Sequence, residues 1–265
     1  MMVSYFHKML RYIFLRRGIF VSRVVEKDAV AEFFNMIRAH QSRTTLVRIG
    51  GVGDGGYLIP DDLVGVEECF SPGVSVIAEF EKDLVGRGIR CYLADYSVDR
   101  SPFEHPMIDF VKKYLGVFDS EKFIRLESWV SGKRNSVGDL ILQMDIEGSE
   151  YRVLLDTPDE VLVKFRIIVI EFHHLNRLFE TFGFEVINLT FMKLLKNFDI
   201  VHMHPNNCRE PVELFEFSVP PVMEFTFLRK DRAVSCRRAG VSPNALDAPN
   251  VVDLPDFELP VCWRA

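Results

Sequence analysis

The stretch GDLILQMDIEGSEYRVLLDTPDEVLVKFRIIVIEFHHL, residues 138–175, decides the fold. Its two apolar runs, Leu140-Ile141-Leu142 with Met144 and Phe165–Phe172, are short enough for strands and too continuous for half-exposed ones. Strands that are apolar on both faces belong to a sheet covered on both sides. Between them, SEYRVLLDTPDEVL has helical spacing that breaks near Pro158. Strand, helix, strand is the unit of a parallel sheet. Both strands end in groups that carry chemistry. The first delivers Asp145, Glu147 and Glu150; the second delivers Glu171, His173 and His174.

Outward from this unit the alternation continues. GVEECFSPGVS predicts a strand closing on a Pro-Gly turn, IAEFEKDLVGRG a helix stopped by glycines, and IRCYLADYSVD a strand ending in acid. A helix is expected after Pro106 in FEHPMIDFVKKYLGVF, and a short one at LESWVSG. DIVHMHPNNC and PPVMEFTFLRK predict two late strands. Upstream, TTLVRIGGVGDGGYLIPDDL predicts two short strands around a glycine-rich turn, where backbone angles are positive or another group approaches closely. The fold class is therefore α/β, with a mostly parallel sheet and helices on both faces. Three regions follow: an N-terminal helical extension over 1–40, a main domain over 41–231, and a mostly loop extension over 232–265 that lies over the surface or serves as an arm.

Composition narrows the function. The chain has 265 residues, 48% of them hydrophobic, enough for one large core. The net charge of −6 gives no basic footprint for nucleic acid. Five cysteines, an odd number without CxxC spacing, point to free thiols in a reducing cytoplasm rather than to disulfides or a cysteine-zinc site. The first twenty residues mix aromatic, aliphatic and basic side chains. Lys8, Arg11, Arg16 and Arg17 interrupt the apolar run, so it predicts neither a spanning helix nor a signal peptide. It suits a helix packed on the domain or a partner subunit, or an amphipathic helix on the inner membrane face. A homo-oligomer is compatible with either.

In an open parallel sheet, ligands bind beyond the carboxyl ends of the strands. Those ends carry SPGVS (71–75), Asp95, Asp145 and Glu147, Glu171 with His173 and His174, and His202 with His204, Asn206 and Asn207. Strands must exit into water somewhere, so each set alone is an ordinary strand end; together they build one polar cleft. Gly73 permits a tight turn before a helix that points its amides at an anion. Asp95 lies 22 residues further on, an offset that suits a carboxylate binding ribose hydroxyls.

The ordered series DGGYLIP, FSPGVS, EFEKDL, ADYSVD, QMDIEGSEYRVL, VIEFHHL and HMHPNN resembles the FkbM-type methyltransferases, from about Arg48 to about Asn207. DIEGSE followed by IEFHH carries most of the specificity. The resemblance implies a Rossmann-like class I fold of seven strands, the last antiparallel, with S-adenosylmethionine as cofactor and a hydroxyl as methyl acceptor. By this resemblance, Gly73 and Ser75, with Ser71 before them, hold the methionine part, and Asp95 binds the ribose. Asp54, Gly55 and Tyr57 close over the cofactor, and Asp145 sits beside the methyl group. Ser71-Pro72 and Ser75 stand where the common GxGxG pattern has glycines. Of Glu79 and Glu81 on the first helix, only one faces the pocket. Trp129 flanks the adenine or belongs to the core.

Methyl transfer to a hydroxyl needs alignment and a proton acceptor or a metal. Asp145, Glu147 and one of His173 and His174 are the candidates for acid–base work. A divalent ion, Mg or Mn, is the other reading, with Asp145, Glu171, His202 and His204 as ligands; sheet-edge histidines that merely hydrogen-bond are the ordinary alternative. Glu150 is expected to belong to the next helix as a first-turn acid. The acceptor implied by the family is a small molecule or a sugar of a cell-surface glycan or glycolipid precursor. A metal-dependent hydrolase using the Asp/Glu/His set, or a non-catalytic module that keeps the fold, are the competing classes.

Overall fold

The computed structural model describes residues 9, 12–19, 21–134, 137–232 and 244–264. Its centre is one sheet of seven strands: β3 (Val66–Pro72), β4 (Arg90–Ala94), β5 (Ile108–Val111), β8 (Asp139–Met144), β9 (Phe165–Phe172), β10 (Phe198–Pro205) and β13 (Met223–Arg229). The spatial order is β10-β13-β9-β8-β3-β4-β5. All pairs from β9 to β5 are parallel. The single antiparallel strand, β13, inserts between β9 and β10. This is a Rossmann-like arrangement, mostly parallel with one antiparallel strand.

The period-2 alternation of the apolar strands divides two cores. Leu140, Leu142, Met144, Ile168, Ile170 and Phe172 face one core. It is covered by α1 (Lys27–Met36), α3 (Leu126–Lys133), α4 (Glu150–Asp156) and α6 (Thr181–Asn197). Ile141, Ile167 and Val169 face the other, under α2 (Glu79–Gly86) and the antiparallel hairpin of β1 (Leu46–Ile49) and β2 (Tyr57–Pro60). The helix break expected near Pro158 separates α4 from α5 (Asp159–Leu162). In the glycine-rich hairpin turn, Gly50, Gly53 and Gly55 have positive φ.

One expected element differs. The segment after Pro106 forms β5 and the short β6 (Tyr114–Gly116), which pairs with β7 (Phe123–Arg125), instead of a helix. Its apolar residues suit either period. Pairing decides, because β5 lies beside the otherwise open edge of β4, Cys91 to Ala94 against Ile108 to Val111.

Of the N-terminal segment, residues 12–16 are helical and exposed, while 1–8, 10, 11 and 20 lie outside the described residues. From the C-terminal segment, residues 233–243 and 265 lie outside them too. Residues 244–264 bear on the sheet end. Arg48 donates to the Leu246 carbonyl at 2.9 Å, and Asn207 donates to the carbonyls of Val251, Leu254 and Pro255. Trp263, in the last helix α7 (Val261–Arg264), is buried against Phe34 and Phe225, with its indole N–H on the Ser218 carbonyl at 3.0 Å. Between β10 and β13, a further hairpin joins β11 (Val212–Leu214) and β12 (Phe217–Val219).

Candidate active site

Two adjoining cavities open at the carboxyl ends of the strands. The larger, about 690 Å³, is lined by Asp54, Gly55, Tyr57, Gly73, Ser75, Glu79, Glu81, Asp95, Gln143, Asp145 and Glu147 among others. The smaller, about 300 Å³, is lined by Asp54, Asp145, Glu147, Glu171, His173, His174, Asn206, Arg209, Asn250 and others. Asp54, Asp145 and Glu147 belong to both and form their shared wall.

The larger cavity is shaped by backbone. Gly73 has φ +91, and its N–H donates to the Ala94 carbonyl at 3.0 Å. A Cβ there would fall 1.5 Å from the Asp145 carbonyl oxygen, so only glycine fits where β3 passes the end of β8. Ser75 is also left-handed, and its N–H donates to Asp95 Oδ2 at 2.8 Å. Asp95 Oδ1 accepts from the Ser97 N–H at 2.7 Å. Each carboxylate oxygen therefore spends one lone pair on the loop and keeps another for a ligand.

Ser71 lies beneath this cavity rather than in its wall. It is fully buried, bonded to Glu81, and 2.6 Å from Gln143 Oε1. Gln143 in turn donates to the Tyr57 hydroxyl at 3.2 Å. Burial pushes the Glu81 carboxyl up to about 7 and the Tyr57 phenol well above its ordinary value. Glu79 reaches the cavity rim but is exposed and paired with Lys82 at 2.5 Å; Glu81 is the acid held inside. Trp129 is a core residue, edge-on to Phe70, and takes no part in the cavity wall.

The smaller cavity is shaped by side chains. His173 Nε2 faces three carboxylates: Glu147 at 3.3 Å, Glu171 at 3.6 Å and Asp145 at 3.9 Å. Its Nδ1 lies 3.2 Å from Glu150 Oε1. His174 is left-handed and stacks its ring edge over Gly148. Both histidines line the cavity, and His173 is the one that meets the acids. Burial raises Asp145 to about 7, and burial with the charges of Asp145 and Glu224 holds Glu171 well above the usual carboxylate range. Asn206 donates to Glu171. Asp145 Oδ1 is buried with no hydrogen-bond partner. Strand alternation does not carry Glu147: β8 ends at Met144 and Glu147 is left-handed, so it turns to the wall by loop geometry.

The ligand set expected for a metal is rearranged. Among the described residues, one group could hold an ion: Asp145, Glu171 and His173, each with one ligand atom, all within 4.8 Å of one another. His202 and His204 are not part of it. They do share a face, but His202 Nε2 pairs with Asp247 at 2.9 Å and His204 lies 3.9 Å from the same carboxylate. Their task is to hold the C-terminal segment.

Residues 124–200 match the family model of the methyltransferase FkbM domain. The match covers the stretch from β7 into β10, with Asp145, Glu147, Glu171 and His173 inside it. Solved structures similar to this chain include the fibrillarin/Nop5p complex, with 15% identity over 62% of this chain and 73% of that chain and a TM-score of 0.37. Magnesium protoporphyrin IX methyltransferase from Synechocystis PCC 6803 with bound SAM gives 12%, 63%, 72% and 0.27. A putative RNA methyltransferase, PH1948, from Pyrococcus horikoshii gives 11%, 77%, 98% and 0.32. No curated protein sequence matches the chain.

S-adenosylmethionine fits the residues present in the larger cavity. A left-handed glycine where no Cβ can stand, loop amides, and a buried strand-end acid suit an amino-acid and ribose ligand. Reading single strands missed Glu150, Gln143 and Asn250 as parts of the site. A polar Gln143 inside LILQM was a legible signal; Asn250 gave none, because its partner Glu224 lies 26 residues away.

Proposed function

We propose that this chain is an FkbM-type methyltransferase, which transfers the methyl group of S-adenosylmethionine to a hydroxyl oxygen, that of a sugar in a glycan or glycolipid precursor. One observation carries the reading: a large cavity with a ribose-type acid and a small polar cavity meet at Asp145. The larger holds the cofactor, through Gly73, Ser75 and Asp95 below and Asp54, Gly55 and Tyr57 above. The smaller holds the acceptor among hydrogen-bonding groups suited to a polyol. Bound there, the cofactor supplies an electrophilic methyl on a sulfonium.

This chain's own residues align the acceptor oxygen with that methyl and shield it from water. The new bond joins oxygen to the methyl carbon, the carbon–sulfur bond breaks, and S-adenosylhomocysteine leaves with the electron pair. The hydroxyl proton passes to His173 Nε2, which already faces the junction. Asp145 and Glu147 steady the acceptor and the ring.

A second reading has support in the orphaned Asp145 Oδ1: a divalent ion held by Asp145, Glu171 and His173, which would polarise the acceptor hydroxyl. The test is mass spectrometry of a glycan panel incubated with enzyme and S-adenosylmethionine, with and without EDTA. A gain of one methylene mass that survives EDTA supports His173 as base. A gain lost to EDTA and restored by Mg or Mn supports the ion. No gain on any glycan removes the sugar acceptor and leaves the cofactor reading, which calorimetry with S-adenosylmethionine tests separately.

We also read residues 1–24 as a surface anchor near the site where lipid-linked glycans are built. Exposed Tyr12, Ile13, Phe14 and Leu15 beside Arg16 and Arg17 support this. Among the described residues no helix is long and apolar enough to cross a membrane. Deleting 1–24 is expected to release the protein from anionic vesicles; unchanged binding removes the anchor.

A further inference from the structure

Glu150 is the most deeply placed acid at the transfer site, and the chemistry above does not use it. Its side chain is completely buried. It is the first residue of α4, and its carboxylate turns back onto the loop before it. Oε1 accepts from the Ile146 N–H at 3.2 Å and the Gly148 N–H at 3.0 Å. That loop is bent to present both amides: Glu147 has φ +55 and Gly148 φ +92. The same Oε1 meets His173 Nδ1 at 3.2 Å. The next residue grips His173 from the other side, with the Tyr151 hydroxyl donating to the His173 carbonyl at 2.8 Å. Ring and backbone of one histidine are thus both held by the first two residues of α4.

This geometry has a chemical consequence. An oxygen that already faces two backbone N–H donors cannot carry a proton toward a third nitrogen. At that oxygen Nδ1 must be the donor, so Nδ1 carries the ring hydrogen. Nε2 is then left with its lone pair, pointed at Asp145, Glu147 and Glu171 and into the smaller cavity. We infer that Glu150 is a positioning residue, which fixes the His173 ring and its tautomer so that Nε2 offers a lone pair to the acceptor side. The inference rests on the reading of the smaller cavity as the acceptor site. The orientation is the one a proton acceptor needs, and equally the one a nitrogen ligand of a cation needs.

The test is made on the full chain, labelled with 15N-histidine, at a pH where the rings are neutral. The His173 signal is assigned by its loss in His173→Gln. Long-range proton–nitrogen spectra distinguish the two tautomers. Wild type is expected to show the Nδ1–H form. In Glu150→Gln the two loop amides select the amide oxygen, so the same form persists. In Glu150→Ala the ratio of Nδ1–H to Nε2–H is expected to fall about tenfold, since the hydrogen bond that selects Nδ1–H is lost. Calorimetry with S-adenosylmethionine, expected to be unchanged, reports that the variant is folded. A loop-capping role alone would leave the tautomer ratio unmoved. Nε2–H in wild type, or an unchanged ratio in folded Glu150→Ala, overturns the inference. If Glu150→Ala does not fold, the wild-type tautomer still decides. Retained methyl transfer in His173→Gln would instead remove His173 from the reaction and leave the tautomer result standing.

Discussion

The two cavities are built by different means. The larger is made by backbone: a glycine that cannot be anything else, a left-handed serine, and amides fastened to Asp95 at the end of the next strand. Its parts lie on parallel neighbours β3, β4 and β8, and the loop from Gly73 to Ser75 does most of the shaping. The smaller is made by side chains from distant segments. Glu171 and Glu224 stand opposite each other in the β9–β13 register, and both are buried. Burial pushes Glu224 up to about 8. Each has an amide partner, Asn206 for Glu171 and Asn250 for Glu224. Asn250 arrives from the C-terminal segment. A site of the first kind tolerates almost no change at its few backbone positions. A site of the second kind can change what it binds by exchanging side chains while the backbone-built cavity stays as it is.

The sharpest way to break this contrast is Gly73→Ala. The added Cβ has nowhere to go without separating β3 from β8, and its φ is unfavourable as well. Affinity for S-adenosylmethionine, measured by calorimetry, is expected to fall by at least about 4 kcal/mol, roughly a thousandfold. Near-native affinity would mean that the turn is softer than its geometry and that the backbone account of the larger cavity is wrong.

Next in size is Trp263→Ala. Trp263 is 2% exposed and packs 4.9 Å from the Phe34 ring. Emptying that site is expected to cost about 3–5 kcal/mol in denaturant unfolding, with cofactor affinity of the folded fraction retained. A cost near zero would make the C-terminal segment an ornament and leave the smaller cavity without its outer wall.

These two residues also mark where the sequence was and was not legible. Six of the seven sheet strands could be read because they are apolar runs between turn signals, as in Phe165–Phe172. Gly73, Asp95, Asp145 and His173 were legible because each ends a strand, and strand ends in such a sheet converge. The region after Pro106 misled because Ile108, Phe110 and Val111 satisfy two periods, and only the open edge of β4 chooses between them. Trp129 stayed open between two readings because a large aromatic near a polar cleft is equally a core residue, and its packing on Phe70 settles it as core. The C-terminal segment was opaque for a different reason. Its prolines predict loop, but nothing local tells that Asp247 and Asn250 have partners awaiting them on the sheet and Trp263 one on the β11–β12 hairpin. The metal reading of His202 and His204 stood open for the same reason: Asp247, which pairs with His202, lies 45 residues beyond it.

The smallest expected effect is the most selective test of the two-cavity contrast. Asp247 accepts from His202 at 2.9 Å on one oxygen and from the Asn244 N–H at 2.8 Å on the other. Burial alone would raise its carboxyl, but the hydrogen bond and charge of His202, with the charge of His204, outweigh burial and hold it below its usual 3.8. A carboxyl depressed in the folded state adds stability above its unfolded value; that stability is lost as pH falls through the folded one. In Asp247→Asn one acceptor oxygen becomes an N–H₂ group facing another donor. The variant is expected to be less stable than wild type by about 1–2 kcal/mol at pH 7. The gap should close as the pH is lowered from just above 3.8 through the depressed folded value, because wild type then loses the same charge. Urea midpoints at a series of pH values measure this. Affinity for S-adenosylmethionine should not move, since Asp247 touches nothing in the larger cavity. A gap that stays constant with pH would show that the residue contributes shape rather than charge. A parallel loss of cofactor affinity would show that the two cavities are mechanically one, and that the acceptor side cannot vary without disturbing the cofactor side.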